Sequence, residues 1–396
     1  MITTLLFDLD DTLLGNDMGT FIPAYFEQIT CHFPAVDPQQ LINALMSGTR
    51  AAIANRDASQ KLSDVLYQQL FPAMNWKQAE WLPRFNEFYR TRFTHLRGLT
   101  DHRPAARALL EWAIAAGYEV VIATSPLFPR IAIDERLRWA GIADLPFARV
   151  TSLENSHFTK PHPEYFAEIL AHLGRRPEAA LMLGNDWEND IAPNVALGLA
   201  NYWIAPSDGV PPTESAYTFG VGSLETFWNW AKASLPNLTL PPPPATALPH
   251  LLRGNLAAIV GTLDEATESS WQARPDPTEW SFTEVICHLR DVDVEVNVPR
   301  FHSIVETDNP FISGADTHPW AVERDYQSQS GPEALQAFSA ARQHLADFLA
   351  GQPASVWNRT ARHALFGPTT LAEIVGWILD HDRIHLEQLQ KTKSGL

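Results

Sequence analysis

Asp8 and Asp10 lie two residues apart in "LLFDLDDTLL", at the end of an apolar run that reads as a strand. Side chains two apart on extended chain project to one side, so both carboxylates can face the same space. Two further strand-like runs end in reactive groups: Thr124 and Ser125 after "VVIA", and Asp186 with Asp190 after "LMLGN". Lys160, in "FTKPHPEYF", opens the helix before the last of these runs. Four carboxylates, two hydroxyls and an ammonium are the result. Crowded carboxylates repel unless a cation sits among them, and hard oxygen ligands suit Mg²⁺, which usually shares its coordination with a substrate phosphate. One carboxylate can attack phosphorus while another shuttles protons, with Lys160, Thr124 and Ser125 binding the phosphate oxygens.

A second group lies near the other end of the chain. In "ILDHDRIHLEQL", His381 and His385 continue the apolar stripe Leu371, Ile374, Ile378, Leu389. His288 falls in a second stripe, Phe282, Val285, Leu289, Val292, Val296. A lone inward histidine is usually a hydrogen-bonded core residue. Three that converge each need a partner to offset desolvation, and one divalent transition metal serves all three. Three histidines with a coordination position left open is the pattern of a catalytic site. Glu295, one heptad past His288, is within reach as a base but reads more simply as an exposed carboxylate. His302 and His344 lack matching partners and read as structural.

The elements that must position these residues divide at "LPNLTLPPPPATALPH" (235–250), where six prolines and no charge favour an extended spacer. Before it, strand-like runs at 3–8, 118–125, 179–186 and 200–206, with a weaker fifth at 147–152, alternate with helices at 104–116, 127–140, 163–173 and 189–197. Continuous rather than alternating hydrophobicity suggests a parallel sheet covered on both faces. Residues 15–100 read as helices, one starting at Asp37 and Pro38. After the spacer strands vanish. Four helices are expected near 247–270, 281–305, 332–350 and 370–391, two opened by capping boxes, Ser281 with Glu284 and Thr370 with Glu373. The expected units are a core of 1–14 and 101–235, a helical cap of 15–100, a linker of 236–246 and a four-helix bundle of 247–396.

The net charge of −17 is shared: 18 basic against 26 acidic residues in 1–240, and 11 against 20 in 241–396. Neither half offers a basic face, which disfavours a nucleic-acid or anionic membrane partner. No Lys or Arg precedes Arg50, and no apolar run approaches a membrane span, so a cytoplasmic location is expected. Cys31 and Cys287, each beside apolar residues, read as buried free thiols. Arg50, Arg56, Arg90 and Arg92 in the cap read as solvated surface.

Residues 1–235 resemble the haloacid dehalogenase (HAD) superfamily. "DLDDT", "IATS", Lys160 and "GNDWENDI" are similar to its four motifs in order. The resemblance implies an α/β three-layer HAD-like fold, with a Rossmann-type parallel sheet and an inserted helical cap. It also implies Asp8 as nucleophile and Asp10 as general acid/base, with Mg²⁺ held by Asp8, Asp186 and the Asp10 carbonyl and supported by Asp190. Asn185 stands where many members carry the first acidic residue of the fourth motif, which leaves open whether Asp186 or Asp190 meets the metal. Asp10 favours a phosphatase over a dehalogenase, because an alkoxide needs a proton to leave and a halide does not. The expected partner is a small phosphorylated metabolite.

Over about 247–392, "EWSFTEVICHLRDVD", "ERDYQ" and "HDRIH" resemble the DinB-like all-α four-helix-bundle family. That resemblance implies Zn²⁺, Ni²⁺ or another divalent transition metal on His288, His381 and His385. Hydrolase or thiol-dependent transferase activity in the bundle is one alternative to the phosphatase reading. A non-enzymatic scaffold, dimerising through the bundle, is the other.

Overall fold

A computed structural model describes residues 1–205 and 209–396. The chain forms two compact units: Met1–Arg56, Gln60–Tyr165 and Arg176–Pro243 make one, and Asp57–Ser59, Phe166–Arg175 and Pro244–Leu396 the other.

The first unit is built on a six-stranded sheet in the order Arg149–Val150, Glu119–Ile122, Thr4–Phe7, Ala180–Gly184, Ala200–Ile204, Thr218–Gly222. All neighbouring pairs are parallel. Thr4–Phe7 and Ala180–Gly184 are buried at every position, as strands covered on both faces must be. The strand order reverses beside Thr4–Phe7, where an open α/β sheet leaves a crevice beyond its carboxyl ends. The strand expected over 200–206 ends at Ile204, and Pro206 lies outside the described residues. Thr218–Gly222 was not expected from the sequence. Its burial is mostly intermediate, and its two glycines blur any apolar signature.

Between Thr4–Phe7 and the next sheet strand the chain leaves and returns through a short antiparallel ladder, Leu14–Gly15 against Asp101–His102. Inside it lie the helices Met18–His32, Pro38–Ala54, Leu62–Ala73 and Gln78–Arg90, followed by a 3₁₀ turn, Arg92–Leu99. Asp37 caps its helix by accepting from Gln40 N–H, with Pro38 at the first helical position. Phe21, Tyr25 and Ile29 are the buried face of the first helix. Cys31, two residues past Ile29, is therefore turned to solvent, which corrects the expectation of a buried thiol. Cys287 is buried.

The second unit contains the helices Leu248–Leu263, Phe282–Val292, Gly331–Ala350 and Leu371–Gly395. Both expected capping boxes are formed. The second helix does not run unbroken to 305: a π turn at Asp293–Asn297 leads into Val298–Glu306. Strands do not vanish after the spacer either. Gly367–Thr370, Thr360–His363 and Phe311–Ile312 form a three-stranded sheet beside the four-helix bundle. Two to four residues are too few to register as a hydrophobic period, which is why they were missed. Among the described residues no helix is long and apolar enough to cross a membrane.

Candidate functional sites

The first site begins where Thr4–Phe7 ends. Asp8 N–H still follows the sheet, donating to Leu183 O at 2.9 Å. The chain then curls sharply. Leu13 and Leu14 N–H both donate to Leu9 O, and Asp11 takes a left-handed conformation at φ 58° that aspartate tolerates. That curl holds Asp10 at the sheet edge.

The two carboxylates engage different partners. Asp8 Oδ1 accepts from Lys160 Nζ at 2.7 Å, and the same ammonium reaches Asp190 Oδ1 at 2.6 Å. All three side chains are buried. Asp10 accepts from Asn16 Nδ2 at 2.7 Å, from Thr124 Oγ1 at 3.5 Å, and from the guanidinium of Arg136. Burial pushes the Asp8 carboxyl up to about 7, with the charges of Asp190 and Asp10 adding to the rise and Lys160 opposing it. Asp190 is raised for the same first reason. Burial works against the Lys160 charge, yet Asp190 and Asp8 outweigh it and hold the ammonium protonated. Buried carboxylates this close want more positive charge than one lysine supplies, so the donor set fits a hard dication.

The fourth motif gives its two aspartates different surroundings. Asp186 is exposed, and its carboxylate caps the π turn Trp187–Ile191, accepting from Glu188 N–H, Asn189 N–H and Asn189 Nδ2. Asp190 is the residue that shares Lys160 with Asp8. Gly184 permits this: a Cβ there would lie 2.2 Å from Asp190 Oδ2. Asn185 accepts from Thr12 Oγ1 at 3.2 Å through its side chain and from Trp203 Nε1 at 2.8 Å through its carbonyl. The carbonyl of Thr124 is fixed by Thr151 Oγ1 and Tyr165 O–H, both at 2.8 Å.

Sequence reasoning missed Arg136. It is 1% exposed, its guanidinium lies 4.8 Å from the Phe128 ring centroid, and its Nε and Nη2 have no hydrogen-bond partner among the described residues. The signal was available. Arg136 falls three residues after Ile133 and four before Ala140, on the buried stripe of Arg130–Trp139 and its cap. Asp10, Ser125 and Arg136 line one cavity of about 180 Å³ together with apolar residues of the helical insert. Arg50, Arg56, Arg90 and Arg92 are not among its lining residues.

In the second unit His288 Nε2 is 3.1 Å from His381 Nε2, which is 3.2 Å from His385 Nε2. A tetrahedral ion with bonds near 2.0–2.1 Å has ligand nitrogens about 3.3 Å apart, so the spacing fits. Burial, then the neighbouring imidazoles, lowers His288 to about 3 and His381 to about 4, leaving neutral rings with lone pairs to offer. His385 Nδ1 pairs with Gln388 Oε1 at 3.1 Å, an orienting contact of the kind metal-bound histidines use. Trp280, also missed, stacks on His385 at 6.0 Å and 5°. Glu295 is taken up by Arg324 at 2.6 and 3.0 Å and is not part of the triad. His302 packs on Phe348, and His344 is exposed.

Comparison with known families agrees with this division. The model of haloacid dehalogenase-like hydrolases matches residues 2–198, and that of the DinB superfamily matches residues 251–389. The chain is thus similar to haloacid dehalogenase-like hydrolases in its N-terminal half and to the DinB superfamily in its C-terminal part. Among solved structures, the HAD-like part is similar to a HAD phosphatase from Thermococcus onnurineus, with 20% identity, 58% of this chain and 97% of that chain covered, and a TM-score of 0.39. It is likewise similar to a 2-haloacid dehalogenase from Pseudomonas syringae pv. Tomato DC3000, at 20% identity, 59% and 99% coverage and a TM-score of 0.42. The DinB-like part is similar to YfiT from Bacillus subtilis, described as a probable metal-dependent hydrolase, at 17% identity, 37% and 85% coverage and a TM-score of 0.35. No curated protein matches the chain.

Proposed function

We propose that the HAD-like domain is a Mg²⁺-dependent phosphatase acting on a small phosphomonoester through an aspartyl-phosphate at Asp8. The observation that carries this reading is Asp10, held at the sheet edge by Asn16, Thr124 and Arg136 and exposed to the adjoining cavity. A halide needs no acid there, whereas an alkoxide does. Asp8 forms a bond to phosphorus as the bond to the ester oxygen breaks, and Asp10 gives that oxygen a proton. Water then attacks the acyl phosphate while Asp10 takes a proton back. Lys160 and Thr124 donate to the phosphate oxygens. Magnesium held by Asp8, Asp10 and Asp190 would supply the positive charge that lets these anions and the phosphate coexist.

The test is phosphate release from a broad panel of phosphomonoesters with Mg²⁺, wild type beside Asp8→Asn. Turnover is expected from wild type alone, and Asp10→Asn given 4-nitrophenyl phosphate, whose phenolate leaves without an acid, should accumulate protein heavier by one phosphoryl group. Equal release from wild type and Asp8→Asn sinks the reading.

The convergence of three Nε2 atoms supports a second site. We infer that His288, His381 and His385 hold a divalent transition metal, Zn²⁺ or Ni²⁺, serving hydrolase or thiol-dependent transferase chemistry. Elemental analysis of the purified protein should find about one such ion per chain, lost in a His381→Ala/His385→Ala double variant. Metal retained by that variant counts against the assignment.

A further inference from the structure

The cavity beside Asp10 has an unusual lining for a site that would act on phosphorylated metabolites. Ile22, Leu45, Leu70, Phe71, Leu82 and Phe85 come to it from the helical insert, and Leu127, Phe128 and Leu153 from the sheet unit. Among the described residues Arg136 is its one basic side chain; that guanidinium donates to Asp10 and packs on the Phe128 ring, and its Nε and Nη2 are buried. Tyr25 and Tyr89 satisfy each other's hydroxyls at 3.0 Å within the buried core. A polyhydroxylated or multiply charged body would lose its water here and find only the scattered neutral groups of Thr49, Tyr67, Asn86 and Ser125 among the apolar side chains. An apolar body would lose nothing.

Size adds to the argument. A cavity of about 150 Å³ lined by Leu, Ile and Phe is large enough to take up benzene. The volume here is about 180 Å³. It also adjoins the carboxylate that would protonate the departing oxygen, so what fills it is the leaving group rather than a bystander.

We propose that the substrate is a phosphomonoester of an apolar alcohol, with a phenyl ring or a chain of about four to six carbons as the leaving group. This rests on the phosphatase reading above. The residues that select the substrate are then the apolar side chains of the insert, with Ile22 and Leu82 as partly exposed members of the lining.

The experiment is kcat/KM, on the full chain with Mg²⁺, for ethyl, butyl, hexyl and 2-phenylethyl phosphate beside glycerol 1-phosphate. The alkoxides of the series leave with similar difficulty, so differences report on how the body is held. Each methylene taken from water should raise kcat/KM roughly fourfold until the cavity is full, or on the order of 100-fold from ethyl to hexyl. Ile22→Trp and Leu82→Trp each fill part of the space and should cut the hexyl-to-ethyl ratio at least tenfold, by the same area argument. Circular dichroism and Tm identify which of the two is folded. A flat or reversed series in wild type overturns the apolar assignment and leaves the phosphatase reading intact. So does an unchanged ratio in a folded variant. No Asp8-dependent release from any ester overturns both.

Discussion

The least expected residue is Arg136, because among the described residues its one conventional partner is the carboxylate assigned to proton transfer. A structural arginine buried this deeply would share its donors among several acceptors, yet Nε and Nη2 have none. Its service to Asp10 is positional: the guanidinium fixes one oxygen while Asn16 fixes the other. Removing it should matter most where the departing oxygen needs a proton. Arg136→Met is expected to lower kcat for an alkyl phosphate by on the order of 10²-fold, within the range of general-acid effects. The same change should cost 4-nitrophenyl phosphate much less, since that phenolate leaves without help. Arg136→Lys should recover part of the alkyl activity. Equal losses on both esters would mean the residue serves the fold alone.

At the scale of elements, the strands that end in Asp8, Thr124 and Asp186 were legible because doubly covered strands are continuous apolar runs, and the capped helices because caps have fixed spacing. What escaped the sequence was local geometry. No periodicity distinguishes the π turn at Trp187–Ile191 from ordinary helix, yet that turn decides that Asp190 faces Lys160 while Asp186 caps. The second π turn, Asp293–Asn297, has a comparable effect in the bundle. It delivers Asp293 to Arg342, whose guanidinium also holds Asp382 of the last helix, and all three are buried. An ion triad of this kind ties three helices together without adding much net stability, because desolvation offsets attraction. Arg342→Met alone strands two buried carboxylates and should cost about 3–5 kcal/mol. Combining it with Asp293→Leu and Asp382→Leu should return most of that loss, as urea titration of the three proteins would show. If the triple variant is no more stable than the single one, the triad contributes by packing rather than by charge.

For the whole molecule the question is whether two sites on one chain depend on each other. Each unit has an apolar core of its own. One is built on Leu5, Phe7, Phe21, Phe93, Leu109, Leu183 and Phe227, and the other on Leu252, Phe301, Leu345, Trp357, Leu371 and Ile378. The donor sets also differ, carboxylates that would suit a hard dication and imidazoles that would suit a borderline one, so the two proposed sites would not compete for one metal. Separate cores and different donor sets argue that lesions would stay local. In the full chain, Asp8→Asn is expected to keep its full complement of transition metal while losing phosphate release. The His381→Ala/His385→Ala variant is expected to lose that metal while keeping kcat/KM for its phosphate ester within about twofold, the scatter usual for distant, independent sites. A tenfold fall in phosphatase activity on removing the histidines, with Tm unchanged, would show the bundle acting on the phosphatase and would make their fusion part of the mechanism.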